Sequence, residues 1–153
     1  MIKLSDYVMQ FLSETGIRHI FLLPGGGCMH LLDSLGRQKD INNICCLHEQ
    51  AAVIAAEAYG QYTNHLGAAM VTTGPGGTNA ITGVAGAWID STPLLVISGQ
   101  VKRKDLLRHT GVRQMGIQEV DIISMVKPIT KYAVTVTDPG KIKYHLQKAV
   151  RLT

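Results

Sequence analysis

Glu49 is the most pointed candidate for chemistry in this sequence, because it falls where a short apolar run meets an alanine-rich stretch, in His48-Glu49-Gln50-Ala51-Ala52. That is the junction at which α/β enzymes place reactive groups. A plainer role is also open: an acidic residue in a helix's first turn complements the macrodipole. His48 reads as a satisfied core or interface histidine and is assigned no chemistry. Glycine-rich turns follow three apolar runs, at Pro24-Gly25-Gly26-Gly27, at Gly74-Pro75-Gly76-Gly77-Thr78-Asn79 and after Ser98 at Gly99. Glycine there lets the backbone bend and come close to a ligand, phosphate being the usual one. The second turn lacks the Lys and final Gly of the Walker pattern and the spacing of a dinucleotide fingerprint, so purely structural turns are an equal reading.

The remaining candidates are weaker. Lys102, Arg103 and Lys104 with Arg108 form the densest basic cluster. No aromatics interleave with it, which fits a solvated loop and not a nucleic-acid site. With Arg113-Gln114-Met115-Gly116 the same loop could meet a carboxylate or phosphorylated substrate, although surface solvation is the simpler account. Cys28, Cys45 and Cys46 make an odd count without Cys-x-x-Cys spacing, which indicates neither a disulfide framework nor a zinc site and suits a reducing cytoplasm. The methionines are scattered through separate elements and read as filler.

The elements that must position these groups follow from periodicity. Leu4, Val8, Phe11 and Leu12 have helical spacing, with Gly16 as a stop. Short apolar runs at 19–23, 43–47, 67–73 and 93–98 read as strands, and stretches from about Met29 to Leu35, from Glu49 to about Thr63 and through Trp88 as helices. The alanine-rich helix, small on nearly every face, is expected to be buried, against other elements or between subunits. Strand, glycine turn and helix repeat, which predicts an α/β domain with a mostly parallel sheet covered by helices on both faces, and ligands at the carboxyl ends of its strands. After a long connection, 100–119, come Asp121 to Val126, a strand at Ala133 to Val136 and a closing helix from Pro139. A connection of that length is usually functional or mobile.

The 153 residues, 46% hydrophobic and 17% charged with a net charge of +4, suit one domain with a real core and part of its surface covered by a partner. The polar Lys3, Ser5 and Asp6 replace a signal peptide's apolar stretch, and no run approaches a membrane span. A soluble, cytoplasmic protein without nucleic-acid or membrane partners is expected.

Five blocks, in order, carry a resemblance: Pro24-Gly25-Gly26; His48-Glu49-Gln50-Ala51-Ala52 with Ala55-Ala56-Glu57-Ala58-Tyr59; Thr73-Gly74-Pro75-Gly76-Gly77-Thr78-Asn79; Asp90-Ser91-Thr92-Pro93-Leu94; and Ser98-Gly99-Gln100-Val101. Together they resemble the N-terminal, pyrimidine-binding domain of thiamine diphosphate-dependent enzymes of the acetolactate synthase-like family, over most of the chain.

The resemblance implies a thiamine diphosphate-binding fold of the pyrimidine type over 1–153 and an enzyme acting on 2-oxo acids by decarboxylation, carboligation or both. It implies that Glu49 hydrogen-bonds N1′ of the aminopyrimidine and favours the imino form, whose 4′-nitrogen takes the proton from C2 of the thiazolium. Leu23, Pro24, Gly25, Thr73, Pro75, Gly76 and Asn79 would surround the pyrimidine, and Gln118 of Gln118-Glu119 would face the reacting carbon. Acetolactate synthases carry an aromatic where Ile117 stands, and the Gly25-Gly26-Gly27 turn is richer in glycine than theirs; both departures argue against pyruvate as substrate. The family's Gly-Asp-Gly motif is missing from these residues. The resemblance therefore places the Mg²⁺-bound diphosphate in a C-terminal domain outside this chain, reached across a homodimer or homotetramer, with FAD in the middle domain of some relatives. A noncatalytic binding or assembly domain that kept the fold is the alternative, against which Glu49 argues. A nucleotide-binding oxidoreductase would rest only on the sheet and the glycine turns.

Overall fold

A computed structural model describes residues 2–107 and 111–153. The elements run α1 (Leu4–Glu14), β1 (His19–Leu22), α2 (Met29–Arg37), β2 (Asn42–Cys45), α3 (Glu49–Thr63), β3 (Gly67–Val71), α4 (Pro75–Ile89), β4 (Leu94–Ser98), α5 (Ile122–Val126) and α6 (Ile142–Leu152). Arg108, the outlying member of the basic cluster, lies outside the described residues.

The strands pair in the order β2-β1-β3-β4, all parallel. The chain steps outward from β1 to β2 and then returns past β1 to β3. The order thus reverses between β1 and β3, and ligands of open α/β sheets bind outside the carboxyl ends of the strands at that switch point.

Alternation along the strands builds a core on each face of the sheet. Ile20, Leu22, Ala68, Met70 and Leu95 pack with Val8, Met9, Leu12 of α1, Leu35 of α2 and Leu146 of α6. Phe21, Ala69 and Val71 point the other way, onto Ala52, Val53 and Ala56 of α3 and Ala80 of α4. Helices therefore cover both faces, as the strand–turn–helix repeat predicts.

Local chemistry sets the element ends. Gly16 turns the chain after α1 with φ +91°. Pro75 opens α4 at its first turn, where a missing N–H costs nothing, and Asn64 ends α3 in the left-handed conformation. The small residues of α3 do permit close approach, since a Cβ on Gly83 of α4 would stand 2.6 Å from Val53 Cγ1. The helix is not buried all round, however: Ala51, Ile54, Ala58 and Tyr62 are exposed, and only the side facing the sheet and α4 is enclosed.

The strand expected at Ala133 to Val136 does not form. Residues 131–138 run without a ladder, and the sheet's four strands do not include them. Their β-branched residues favour extended backbone, but a strand also needs an edge to pair with and a buried face; all four residues here are half-buried with no alternation. No helix of the described residues is long and apolar enough to cross a membrane, and all three cysteines are free thiols.

The packing separates two glycines sharply. A Cβ on Gly67 would lie 2.2 Å from the backbone oxygen of Ala56, whereas one on Gly36 in α2 would meet nothing within 4 Å. Gly67→Ala is expected to destabilise by about 1–3 kcal/mol by forcing α3 off β3, and Gly36→Ala to stabilise by about 0.4–1 kcal/mol through the unfolded chain. Urea unfolding checks both, and an unchanged midpoint for Gly67→Ala would contradict this packing.

Candidate functional site

Glu49 begins α3 immediately after the carboxyl end of β2. His48 provides the N-cap in extended conformation, and its Nδ1 accepts from the Gln50 N–H at 3.1 Å. The histidine is thus a helix cap on the surface, not a core residue. Glu49 itself is only 6% exposed, so its carboxyl group is taken out of water at the mouth of the sheet.

Two helices meet at that carboxyl group. Asn79 Nδ2, one turn into α4, donates to Glu49 Oε2 at 3.0 Å. The other oxygen faces the first turn of α4, where a Cβ on Gly76 would come within 3.2 Å of Oε1 and 2.6 Å of Thr72 Cγ2. Glycine at 76 therefore lets the first turn of α4 pack directly against Thr72 and the Glu49 carboxyl group, where a side chain would collide. Glu49 stands in the first turn of α3, where an acidic residue complements the macrodipole, and it is also bonded across to α4.

The turn after β1 closes on the same place. Leu23 is half-buried and Pro24 exposed as the chain leaves the sheet, and a Cβ on Gly25 would lie 2.5 Å from Thr72 Cβ. The Gly27 N–H donates to Thr72 Oγ1 at 2.9 Å. Thr73 is buried and donates from Oγ1 to Gln100 Oε1 at 2.9 Å, tying the ends of β3 and β4 together. Pro75 is exposed at the head of α4.

Gln118 reaches this edge from the long connection. Its backbone is left-handed, φ +59°, and a Cβ on Gly74 would stand 2.0 Å from its carbonyl oxygen. The structure thus brings Glu49, Thr73, Pro75, Gly76, Asn79 and the Gln118 backbone to one edge, with Leu23 to Gly25 alongside. The basic residues go elsewhere: Lys102, Arg103 and Lys104 line an open hollow of about 620 Å³ with Thr137. Sequence reasoning gave no role to Thr72, Gln100 or Glu119, although Gln100 and Glu119 stand in the stretches it quoted; Thr72 and Gln100 bond to these turns, and Glu119 to the long connection. Their only signal was position beside residues already singled out.

A second acid on α3 is buried, Glu57. Burial raises its pKa, Asp90 adds to the rise, and a hydrogen bond from Thr92 opposes it. Burial likewise raises the thiol pKa of Cys28. The Cys28 thiol donates to the Gly25 carbonyl at 3.3 Å, beside the Glu49 cluster, whereas Glu57 faces Asp90 and Thr92. Among the described residues no group of three or more His, Cys, Asp or Glu is placed to hold a metal ion.

A parallel sheet with a buried carboxylate and glycine turns at its switch point is the architecture of a cofactor-binding α/β domain. The chain belongs to the thiamine pyrophosphate enzymes, matching their N-terminal TPP binding domain over residues 2–125. It is 38% identical over 138 residues to the acetolactate synthase large subunit of Lactococcus lactis, a match covering 90% of this chain and 23% of that protein. It is 39% identical over 145 residues to that of Buchnera aphidicola from Acyrthosiphon pisum, covering 95% and 24%. Against the acetolactate synthase isozyme 3 large subunit of Escherichia coli the identity is 36% over 149 residues, covering 97% and 25%. The chain thus spans about a quarter of the length of these relatives. The family and the fold expected from the five sequence blocks are both borne out.

Glu57 gives a pH signature of its own. Its folded pKa lies above the unfolded value, so its buried charge costs stability at neutral pH, and the cost fades as pH falls through the folded pKa toward the unfolded one. Glu57→Gln is therefore expected to raise the unfolding midpoint at pH 7 and to lose that advantage near pH 4.5. Denaturation of both proteins across that range checks it; a constant difference would be inconsistent with this origin.

Proposed function

We propose that this chain is the pyrimidine-binding part of an acetolactate synthase-like enzyme that uses thiamine diphosphate to decarboxylate a 2-oxo acid, to join the product to a second carbonyl, or both. The observation that carries the proposal is the buried Glu49 carboxyl group at the switch point of the sheet, held at Oε2 by Asn79 with the Gly76 backbone close to Oε1. A carboxyl group so placed suits a ligand that offers it a basic ring nitrogen. When bound, thiamine diphosphate supplies a nucleophilic thiazolium carbon and an electron sink for the loss of CO₂.

Within that scheme Glu49 shares a proton with N1′ of the ring, and Asn79 fixes the rotamer from which it does so. Leu23, Pro24, Gly25, Thr73, Pro75 and Gly76 form the walls, and the exposed Gln118 side chain meets the substrate. Ile117, 85% exposed beside it, gives the substrate side an aliphatic group and supports a 2-oxo acid other than pyruvate. Mg²⁺ and the diphosphate are held by a C-terminal domain outside these residues, and FAD, where used, by a middle domain. Exposed apolar side chains on α3 (Ile54, Tyr62) and α4 (Trp88, Ile89) support a second subunit lying against this half of the molecule, in a homodimer or homotetramer. The free thiols support a reducing, cytoplasmic setting.

The test is Glu49→Gln in the full-length protein, supplied with thiamine diphosphate and Mg²⁺ and assayed on a panel of 2-oxo acids. Turnover is expected to fall by roughly a hundredfold or more, the range of lost acid–base catalysis, while cofactor binding persists. Undiminished turnover of every 2-oxo acid that the parent enzyme accepts sinks the proposal.

A further inference from the structure

Gln118 holds a conformation that a glutamine does not choose. Its φ of +59° is left-handed, a conformation that crowds the Cβ of any residue but glycine. Yet the side chain is exposed and supplies no packing to offset this. The compensation comes from its neighbours.

Glu119 is half-buried, and both of its carboxylate oxygens are taken by backbone donors. The Leu107 N–H donates to Oε1 at 2.6 Å and the Gly116 N–H to Oε2 at 3.1 Å. A carboxylate accepting two backbone N–H groups makes charge-assisted bonds, stronger than neutral ones. These two close the loop across residues 107 to 116. Gly116 is itself pressed against Val101, since a Cβ there would come within 2.5 Å of Val101 Cγ1. From the Gln100 side, Oε1 accepts from the Val101 N–H at 2.9 Å and Nε2 donates to the Val120 carbonyl at 3.4 Å. Downstream, Ile122 abuts Gly77 in the first turn of α4. Gln118 is thus flanked by anchors on both sides, and its carbonyl is set against Gly74.

We propose that Glu119 is a positioning residue: by clasping the Leu107 and Gly116 amides it holds Gln118 in its left-handed conformation over Gly74 and so aims the glutamine side chain at the substrate. The proposal rests on the functional reading above. It assigns Glu119 to the substrate step and not to cofactor activation, because Glu119 bonds to the loop whereas Glu49 bonds to α4.

Glu119→Ala and the milder Glu119→Gln, which keeps one acceptor oxygen, are to be compared with Glu49→Gln in the full-length holoenzyme. Three quantities are read: kcat/KM for the 2-oxo acid, the rate of C2 proton–deuteron exchange in bound thiamine diphosphate, and backbone amide exchange over residues 111–118. For Glu119→Ala, kcat/KM is expected to fall about tenfold or more, as for a displaced substrate-facing group. C2 exchange should stay within about twofold of the parent while amide exchange over 111–118 quickens, and Glu119→Gln should fall between. An unchanged kcat/KM overturns the proposal. So does a parallel loss of C2 exchange, which would make Glu119 a general support of the fold. If Glu119→Ala does not fold, Glu119→Gln is held to the same three criteria with a smaller expected loss. Failure of the functional reading looks different: Glu49→Gln then leaves C2 exchange unaltered. The clasp in that case stands or falls on amide exchange alone, and unquickened exchange over 111–118 overturns it.

Discussion

The carboxyl edge of the sheet is organised around Thr72, and the structure there depends on how little room that residue leaves. Its Oγ1 receives the Gly27 N–H, and its Cβ and methyl group occupy the positions where Cβ atoms on Gly25 and Gly76 would have to stand. One β-branched residue at the end of β3 therefore draws in the turn after β1 and the first turn of α4 together. The glycines are required by contact distance before any ligand is considered, which is why they cluster at the switch point. With those turns seated, the Glu49 carboxyl group lies close to the Gly76 backbone and is held from the other side by Asn79.

Much of this was legible in the sequence. The two-residue alternation in 19–22, 67–71 and 94–98 sorts side chains to the two faces of the sheet, and glycine or proline follows α1, β1, β3 and β4 within a few residues. The failure at 133–136 is instructive because composition there was right and context was missing: β-branched residues extend a chain, but only a neighbouring edge makes a strand of it. The alanine-rich helix misled in the opposite sense. Small side chains on every face permit burial on every face without requiring it, and a third of α3 is exposed.

The contacts that define the site were the least legible part. Glu49 and Asn79 are 30 residues apart, and no local pattern announces that one holds the other. The roles of Thr72, Gln100 and Glu119 could not be read because each bonds to backbone or to another polar side chain across a loop, an arrangement that leaves no periodicity. The two buried acids of α3 show the same limit. They lie on one helix, yet Glu49 meets the Asn79 amide and the Gly76 backbone while Glu57 meets Asp90 and Thr92, and only the fold tells them apart.

The far margin of the sheet bears on how the molecule behaves in a crowd. Strand β2 pairs with β1 on one side only, and all four of its residues are exposed. An unpaired margin of this kind invites an extended segment of another chain to add itself. Neither a charge nor a proline guards Asn42-Asn43-Ile44-Cys45. The protection lies in brevity and in the two asparagines, which are poor strand formers. Just beyond the ladder Leu47 is fully exposed. Colloidal stability thus turns on a four-residue rim, and lengthening it by even a few apolar residues would trade dispersed molecules for fibrous or amorphous assemblies.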